Sequence, residues 1–256
     1  MKILLLGHNG YLGSYLYKHL SADILEKRNV YDNEKKYDYV INCIGRPSIE
    51  FCEEHITETN YSNWLVVEDI KKYYPKSKII NFSSYYVYDD DGLCNENSNT
   101  TDKYTYTRQK LNSEKSVING VIFRLGKLFG NPYQKQNKLV EYIFENDNLV
   151  LDGVLFNPTS VEQVLIVIEH ELRRKNMAGI YNLSNLGFTS PYELGIFINN
   201  IFGTEKKITK IEKMNRSFHN YGRFLMDVSK LNSECLLTDW KEYFIEYVRI
   251  NYSNLC

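Results

Sequence analysis

The chain has 256 residues, of which 43% are hydrophobic and 25% charged, and its formal net charge is -1. That length holds one large core or a core with a smaller lobe, and the ordinary globular composition makes disorder not the default reading. Near-neutral charge gives no support to a general nucleic-acid binder, which is normally basic.

The first apolar run, Lys2 to Leu6 (KILLL), reads as a strand buried on both faces. It is too short for a signal-peptide core or a membrane span, and no later run reaches spanning length, so no membrane partner is expected. A glycine-spaced turn follows, Gly7 to Gly13, and then a helix over Tyr11 to Leu20. Further buried strands are predicted at 38–43 (DYVINC), 78–82 (KIINF) and 120–125 (GVIFRL), with helices around Ser62 to Tyr73 and Tyr106 to Ser116. Strands alternating with helices give an α/β chain with a parallel sheet covered on both faces.

In the second half, Lys138 to Glu145 and Ser160 to Arg173 read as helices, the latter apolar at Val161, Val164, Leu165, Ile168 and Leu172. Gly179 to Leu183 reads as a strand. Ser190-Pro191-Tyr192-Glu193 opens a helix with a cap, a proline in the first turn and a glutamate at the third position. Thr238-Asp239 opens a last helix toward Tyr252. The cysteines (Cys43, Cys52, Cys94, Cys235 and Cys256) are odd in number and lack CxxC spacing, so neither a zinc cluster nor a full disulfide framework fits. Reduced thiols in a cytoplasmic protein are the simpler expectation.

Gly7-His8-Asn9-Gly10-Tyr11-Leu12-Gly13 has GxxGxxG spacing between a buried strand and a helix. Gly7 permits a tight turn, Gly10 lets the backbone approach a pyrophosphate, and Gly13 lets the helix pack closely on the strand. The helix N-terminus then offers free N–H groups to the anion. The alternative is a strand–turn–helix that binds nothing.

Tyr106 and Lys110 lie one helical turn apart, on one face. An ammonium there lowers the tyrosine's pKa and holds a ribose, which makes the phenol a usable general acid. The same spacing at Tyr31/Lys35 and Tyr74/Lys78 falls in a charged connection and beside Pro75. Only Tyr106/Lys110 opens a helix after a buried strand with a polar end, Asn81-Phe82-Ser83-Ser84-Tyr85. Hydroxyls at the carboxyl end of a parallel strand lie where such sheets bind ligands, so Ser84 completes a Ser–Tyr–Lys set.

Together these segments resemble the extended short-chain dehydrogenases, and among them the dTDP-4-dehydrorhamnose reductase branch. MKILLLGHNGYLGSYLYKHL resembles its opening strand, turn and helix. VINCIG, FCEEHITETNYSNW, FSSYYVYDD, YTRQK, FRLGKLFGNP and FNPTSVEQV resemble later segments, and the similarity covers nearly the whole length. The resemblance implies a Rossmann-type doubly wound sheet over residues 1–130 and a smaller substrate-binding lobe over 131–256, interleaved with the first. It implies a nicotinamide cofactor held by Gly7, Asn9, Gly10, Tyr11, Leu12 and Gly13, by Cys43, Ile44 and Gly45, by a buried asparagine, here Asn60, and by Tyr106 and Lys110. Ser84, Tyr106 and Lys110 would be catalytic, and Ser84, Tyr85, Asn131 and Arg216 would meet the nucleotide-sugar. A homodimer is allowed.

The chain departs from the branch in three places. The connection from Leu20 to Asp38 is short, Tyr85 stands where the branch has aspartate, and Arg216 precedes serine instead of proline. Asp23-Ile24-Leu25-Glu26-Lys27-Arg28 carries both an acid that suits the ribose of NAD and two cations that suit the 2′-phosphate of NADP. Lys27 and Arg28 favour NADPH, with dual use of NADPH and NADH close behind.

The expected activity is reduction of a keto group on a nucleotide-linked deoxysugar. An epimerase of the same superfamily uses the same three residues. A dehydratase needs carboxylates beside the serine, where Tyr85-Tyr86 stand. A non-catalytic dinucleotide-binding regulator is the remaining alternative.

Overall fold

Short runs of Leu, Ile and Val that are apolar on both faces build the centre of the molecule. In the computed structural model, which describes residues 1–25, 35–89, 92–133, 138–212 and 224–252, these runs are parallel strands. The first half contains β1 (Ile3–Leu6), α1 (Tyr11–His19), β2 (Asp23–Ile24), β3 (Tyr39–Asn42), α2 (Ile49–Glu54), α3 (Ile56–Asn60), α4 (Val66–Tyr73), β4 (Lys78–Ser84), β5 (Gly92–Cys94), α5 (Thr105–Ser116), β6 (Gly120–Leu125) and β7 (Lys127–Phe129). The second contains α6 (Lys138–Glu145), β8 (Asn148–Asp152), β9 (Pro158–Ser160), α7 (Val161–Arg174), β10 (Gly179–Leu183), α8 (Pro191–Phe202), β11 (Lys207–Ile211), β12 (Phe224–Met226), α9 (Ser229–Glu234) and α10 (Trp240–Tyr252).

Six strands form one parallel sheet in the order β10-β6-β4-β3-β1-β2. From β1 the chain first steps outward to β2, then returns to β3 on the other side and continues to β4, β6 and β10. The order therefore reverses between β1 and β3, and doubly wound sheets take ligands at such a crevice, beyond the carboxyl ends of the strands. This is the Rossmann-type arrangement. Its edge is short, because β2 pairs through only Asp23 and Ile24.

Alternation along each strand sorts the two faces. Ile3, Leu5, Tyr39, Ile41, Ile80 and Phe82 pack toward Leu12 and Leu16 of α1 and Val164 and Ile168 of α7. Leu4, Leu6, Val40 and Ile79 pack toward Val66, Val67 and Ile70 of α4. A separate cluster, including Phe129, Val140, Ile143, Leu151, Trp240 and Phe244, gathers α6, β8, α8 and α10. Residues 179–183 leave that second half and return to the main sheet as β10.

Several elements differ from the sequence reading. The strand expected to stop at Phe82 runs on to Ser84, so the serine sits on the strand itself. The helix expected from Ser62 begins earlier, as α3, and passes through a π-helical turn at Tyr61–Leu65 into α4. The short strands β5, β7, β8, β9, β11 and β12 carry too few residues for a readable period. They pair in parallel as β5 with β12, β7 with β9 and β8 with β11. No helix among the described residues is long and apolar enough to cross a membrane.

Candidate functional site

The turn after β1 is shaped by what a side chain would strike. Gly7 has φ +79°, and a Cβ there would lie 2.7 Å from the carbonyl carbon of Cys43. A Cβ on Gly13 would lie 2.1 Å from the Gly7 carbonyl oxygen. Those two glycines let β1, α1 and the end of β3 meet. Gly10 is less crowded, with 3.3 Å to the Gly7 oxygen as its nearest approach. It is exposed and caps α1 with no side-chain hydrogen bond. Gly10 thus offers the first-turn N–H groups no side-chain cap, and its missing Cβ keeps the space before them open. Leu12 is buried under the turn, Tyr11 is half-buried, and Asn9 is exposed. This cradle fits a dinucleotide pyrophosphate.

The opposite wall is Cys43-Ile44-Gly45, beyond β3. The Ile44 N–H donates to Asn42 Oδ1 at 3.2 Å. The Arg46 N–H donates to Asn63 Oδ1 at 2.8 Å, and Asn63 Nδ2 donates to Gln109 Oε1 at 2.8 Å. Asn63 is buried, whereas Asn60 is half-buried and accepts from Gln109 Nε2 at 3.0 Å. The buried asparagine of this helix is therefore Asn63 and not Asn60. The π-helical turn adds a residue to the helix here, which alters the side-chain spacing that a regular helix would predict.

Helix α5 brings Tyr106 and Lys110 to the carboxyl end of β4. Its start is fixed from α2, where the Glu53 carboxylate accepts from the Thr105 N–H at 2.6 Å and from its hydroxyl at 2.7 Å. A carboxylate at a helix N-terminus satisfies free N–H groups and the helix dipole. Lys110 is 7% exposed, and its Nζ donates to the Phe82 carbonyl at 3.0 Å. The same Nζ lies 3.4 Å from where a Gly45 Cβ would stand, so the ammonium borders the cofactor turn. Tyr106 is 4% exposed and lies beside Ser84, which acts on its phenol. The Ser84 oxygen accepts from the Tyr86 N–H at 3.2 Å, which leaves its own proton to donate.

Burial dominates the titration of both groups. It pushes the Tyr106 phenol up, and Ser84 draws it part of the way back. It lowers Lys110 to about 8, against the opposing pull of Cys52, Glu114 and Cys43. Tyr106 is thus held in its acid form, and Lys110 sits near the edge of protonation at neutral pH.

The other predicted residues fall in different places. Tyr85 is half-buried and stacks on Tyr86 with ring centroids 4.3 Å apart. Asn131 is fully buried, and its Nδ2 donates to the Tyr11 carbonyl at 2.5 Å and to Ser14 Oγ at 2.9 Å. Its Oδ1 accepts from the Tyr133 N–H at 2.7 Å. With every polar atom of that amide engaged within the protein, Asn131 ties α1 to the second half. Lys27, Arg28 and Arg216 lie outside the described residues. Beyond β6, Phe129, Leu139, Phe156, Trp240 and Phe244 line a small, half-open apolar dent, with Lys127 among the lining residues.

A doubly wound sheet with a glycine cradle at its switch point and a Ser–Tyr–Lys set beside it defines the extended short-chain dehydrogenase type. Within it, the chain belongs to the RmlD substrate binding domain family, whose model matches residues 1–249. No curated protein matches the chain by sequence. Among solved structures it is similar to a dTDP-4-dehydrorhamnose reductase from Clostridium acetobutylicum, with 21% identity and a TM-score of 0.84 over 98% of this chain and 99% of that one. It is also similar to the Bacillus anthracis dTDP-4-dehydrorhamnose reductase in complex with NADP, at 18% identity and TM-score 0.82 over 96% and 99%. A third, MoeE5 in complex with UDP-glucose and NAD, has 15% identity and TM-score 0.82 over 100% of each chain.

Proposed function

We propose that this protein is an NAD(P)H-dependent reductase of a keto group on a nucleotide-linked deoxysugar. The observation that carries the reading is the meeting of Ser84, Tyr106 and Lys110 at the carboxyl edge of the sheet, beside a glycine cradle. Membership of the RmlD family and likeness to dTDP-4-dehydrorhamnose reductases support it. When bound, the dinucleotide supplies the hydride. Ser84 donates a hydrogen bond to the carbonyl oxygen, which stabilises negative charge as it builds there. Tyr106, kept protonated by burial, delivers its proton to that oxygen. Lys110 borders the Gly45 turn and holds the cofactor ribose.

Two finer points belong to the same proposal. NADPH is preferred over NADH, through Lys27 and Arg28, because a phosphate rewards two adjacent cations better than a hydroxyl pair does. Arg216 grips the diphosphate. The test is oxidation of NADPH and of NADH in the presence of dTDP-4-dehydrorhamnose and related 4-keto-sugar nucleotides. Stoichiometric cofactor oxidation with alcohol formation is the expected result. Interconversion of sugar epimers without net cofactor oxidation would replace reductase by epimerase. Cofactor binding with no reaction across the panel would overturn the catalytic reading.

A further inference from the structure

The sheet face beneath α5 is polar toward its carboxyl end. Register places Ser83 of β4 beside Arg124 of β6, and Arg124 beside Asn182 of β10. All three are buried. Over this row lies Glu114 of α5, itself 7% exposed. Its carboxylate takes two hydrogen bonds from Arg124, at 2.9 and 2.7 Å, and one from the Ser83 hydroxyl at 2.5 Å. Arg124 is 3% exposed, stacks over the Tyr88 ring at 4.9 Å and donates to the Glu96 carbonyl at 3.3 Å. Such a charge pair costs much to bury, and apolar residues of similar volume often serve stability as well. Its location calls for another reason.

Glu114 lies one helical turn beyond Lys110, on the same face of α5. Through Ser83 it also holds the residue adjoining Ser84. The geometry points to Glu114 as a positioning residue that fixes α5 against β4 and keeps the Lys110 ammonium charged, with Arg124 as the counterweight that limits its field. The groups that act on Lys110 are Cys52 from α2, Cys43 at the end of β3, and Glu114, with Tyr106 one turn away. Burial pushes both thiols up, so they are uncharged at neutral pH. Among those groups that leaves Glu114 as the negative charge.

The inference rests on the reading that Lys110 holds the cofactor, so its test is NADPH binding and needs no sugar substrate. NADPH affinity is measured by fluorescence titration across pH. In the unaltered protein it should fall as pH rises past about 8, where Lys110 loses its proton. Constant affinity across that range would sink the Lys110 reading itself. In Glu114→Gln the fall should move to lower pH by about one unit, since a neighbouring anion has been removed. In Arg124→Gln it should move to higher pH, because the carboxylate then acts on Lys110 uncompensated. A merely structural pair would weaken both variants without moving the limb, or move it in one direction. Either result overturns the inference. Should Glu114→Gln not fold, the direction of the shift in Arg124→Gln decides alone.

Discussion

Lys110 Nζ donates to the carbonyl oxygen of Phe82 at 3.0 Å, from the helix to the strand that carries Ser84 two residues later. With the bonds from Asn81 to Ser113 and from Ser83 to Glu114, it sets how far along β4 the helix α5 sits. Together these contacts place Tyr106 beside Ser84 and the ammonium at Gly45. Preorganisation of this kind is what proton transfer requires, since the donor must already lie within reach of the oxygen.

Tyr106→Phe tests that arrangement most directly. The substitution keeps the ring, which is buried beside Ile49 and Cys52, and removes only the donated proton. Turnover should fall by at least about a hundredfold, the size typical of general acid–base catalysis. NADPH affinity should stay within about twofold, because Lys110 still holds the ribose when the phenol is gone. Near-normal turnover would remove Tyr106 from the chemistry.

How much of this was legible beforehand depends on how local the signal is. The cradle is read from consecutive residues, since Gly7, Gly10 and Gly13 each answer a backbone demand within one turn. The set Tyr106/Lys110 is read from helical spacing, and Ser84 from the polar end of a buried run. Asn63 was missed in favour of Asn60, because a π-helical turn breaks the helical spacing on which such a choice depends. The tie from Asn131 to Tyr11 and Ser14 has no sequence signal, because those partners are remote in the chain. The pair Glu114–Arg124 gave no signal for the same reason. A helix residue and a strand residue become neighbours only once the register of β4 and β6 is known.

Gly10→Val and Gly13→Ala should separate ligand space from packing space. At Gly10 a Cβ meets the Gly7 oxygen at 3.3 Å, tight but tolerable, so the protein should fold. The branched side chain then stands where the pyrophosphate approaches, and NADPH affinity should drop by at least about tenfold. At Gly13 the clash is 2.1 Å with backbone, so the loss should appear in the melting temperature even without cofactor. Unchanged affinity in Gly10→Val would mean that the turn is only structural.

Asn63→Ala should loosen the turn that follows β3. It removes the acceptor of the Arg46 N–H and leaves Gln109 Oε1 without that donor, both in a part-buried to buried setting. A buried polar group left unpaired costs about 1–3 kcal/mol. Part of that cost should appear as weaker cofactor binding, because Gly45 lies against both Asn63 and Lys110. Asn60→Ala should have the smaller effect on affinity, since Asn60 meets Gln109 on the half-buried side. The reverse order, measured by titration with NADPH, would return the role to Asn60.

Glu162 gives a prediction about stability instead of turnover. It stands in the first turn of α7, and its Oε2 is buried with no hydrogen-bond partner among the described residues. A Cβ on Gly130 would lie 2.8 Å from that oxygen, so the site is closed on that side. Burial raises its carboxyl to about 7, its own backbone N–H draws it part of the way back, and the charge of Glu246 adds to the rise. The folded protein therefore holds a proton there over a range in which the unfolded chain has lost it. A raised folded-state pKa contributes stability that is complete below the unfolded value, near 4.5, and is lost as pH climbs through about 7. The melting temperature should accordingly decline between about pH 5 and pH 8 by this contribution. Glu162→Gln carries no titrating proton and keeps nearly the same shape. It should flatten that decline and melt higher than the parent at pH 8, with little difference at pH 5. Parallel melting curves for the two proteins across this range would show that Glu162 is already charged, and the closed site around it would need another account.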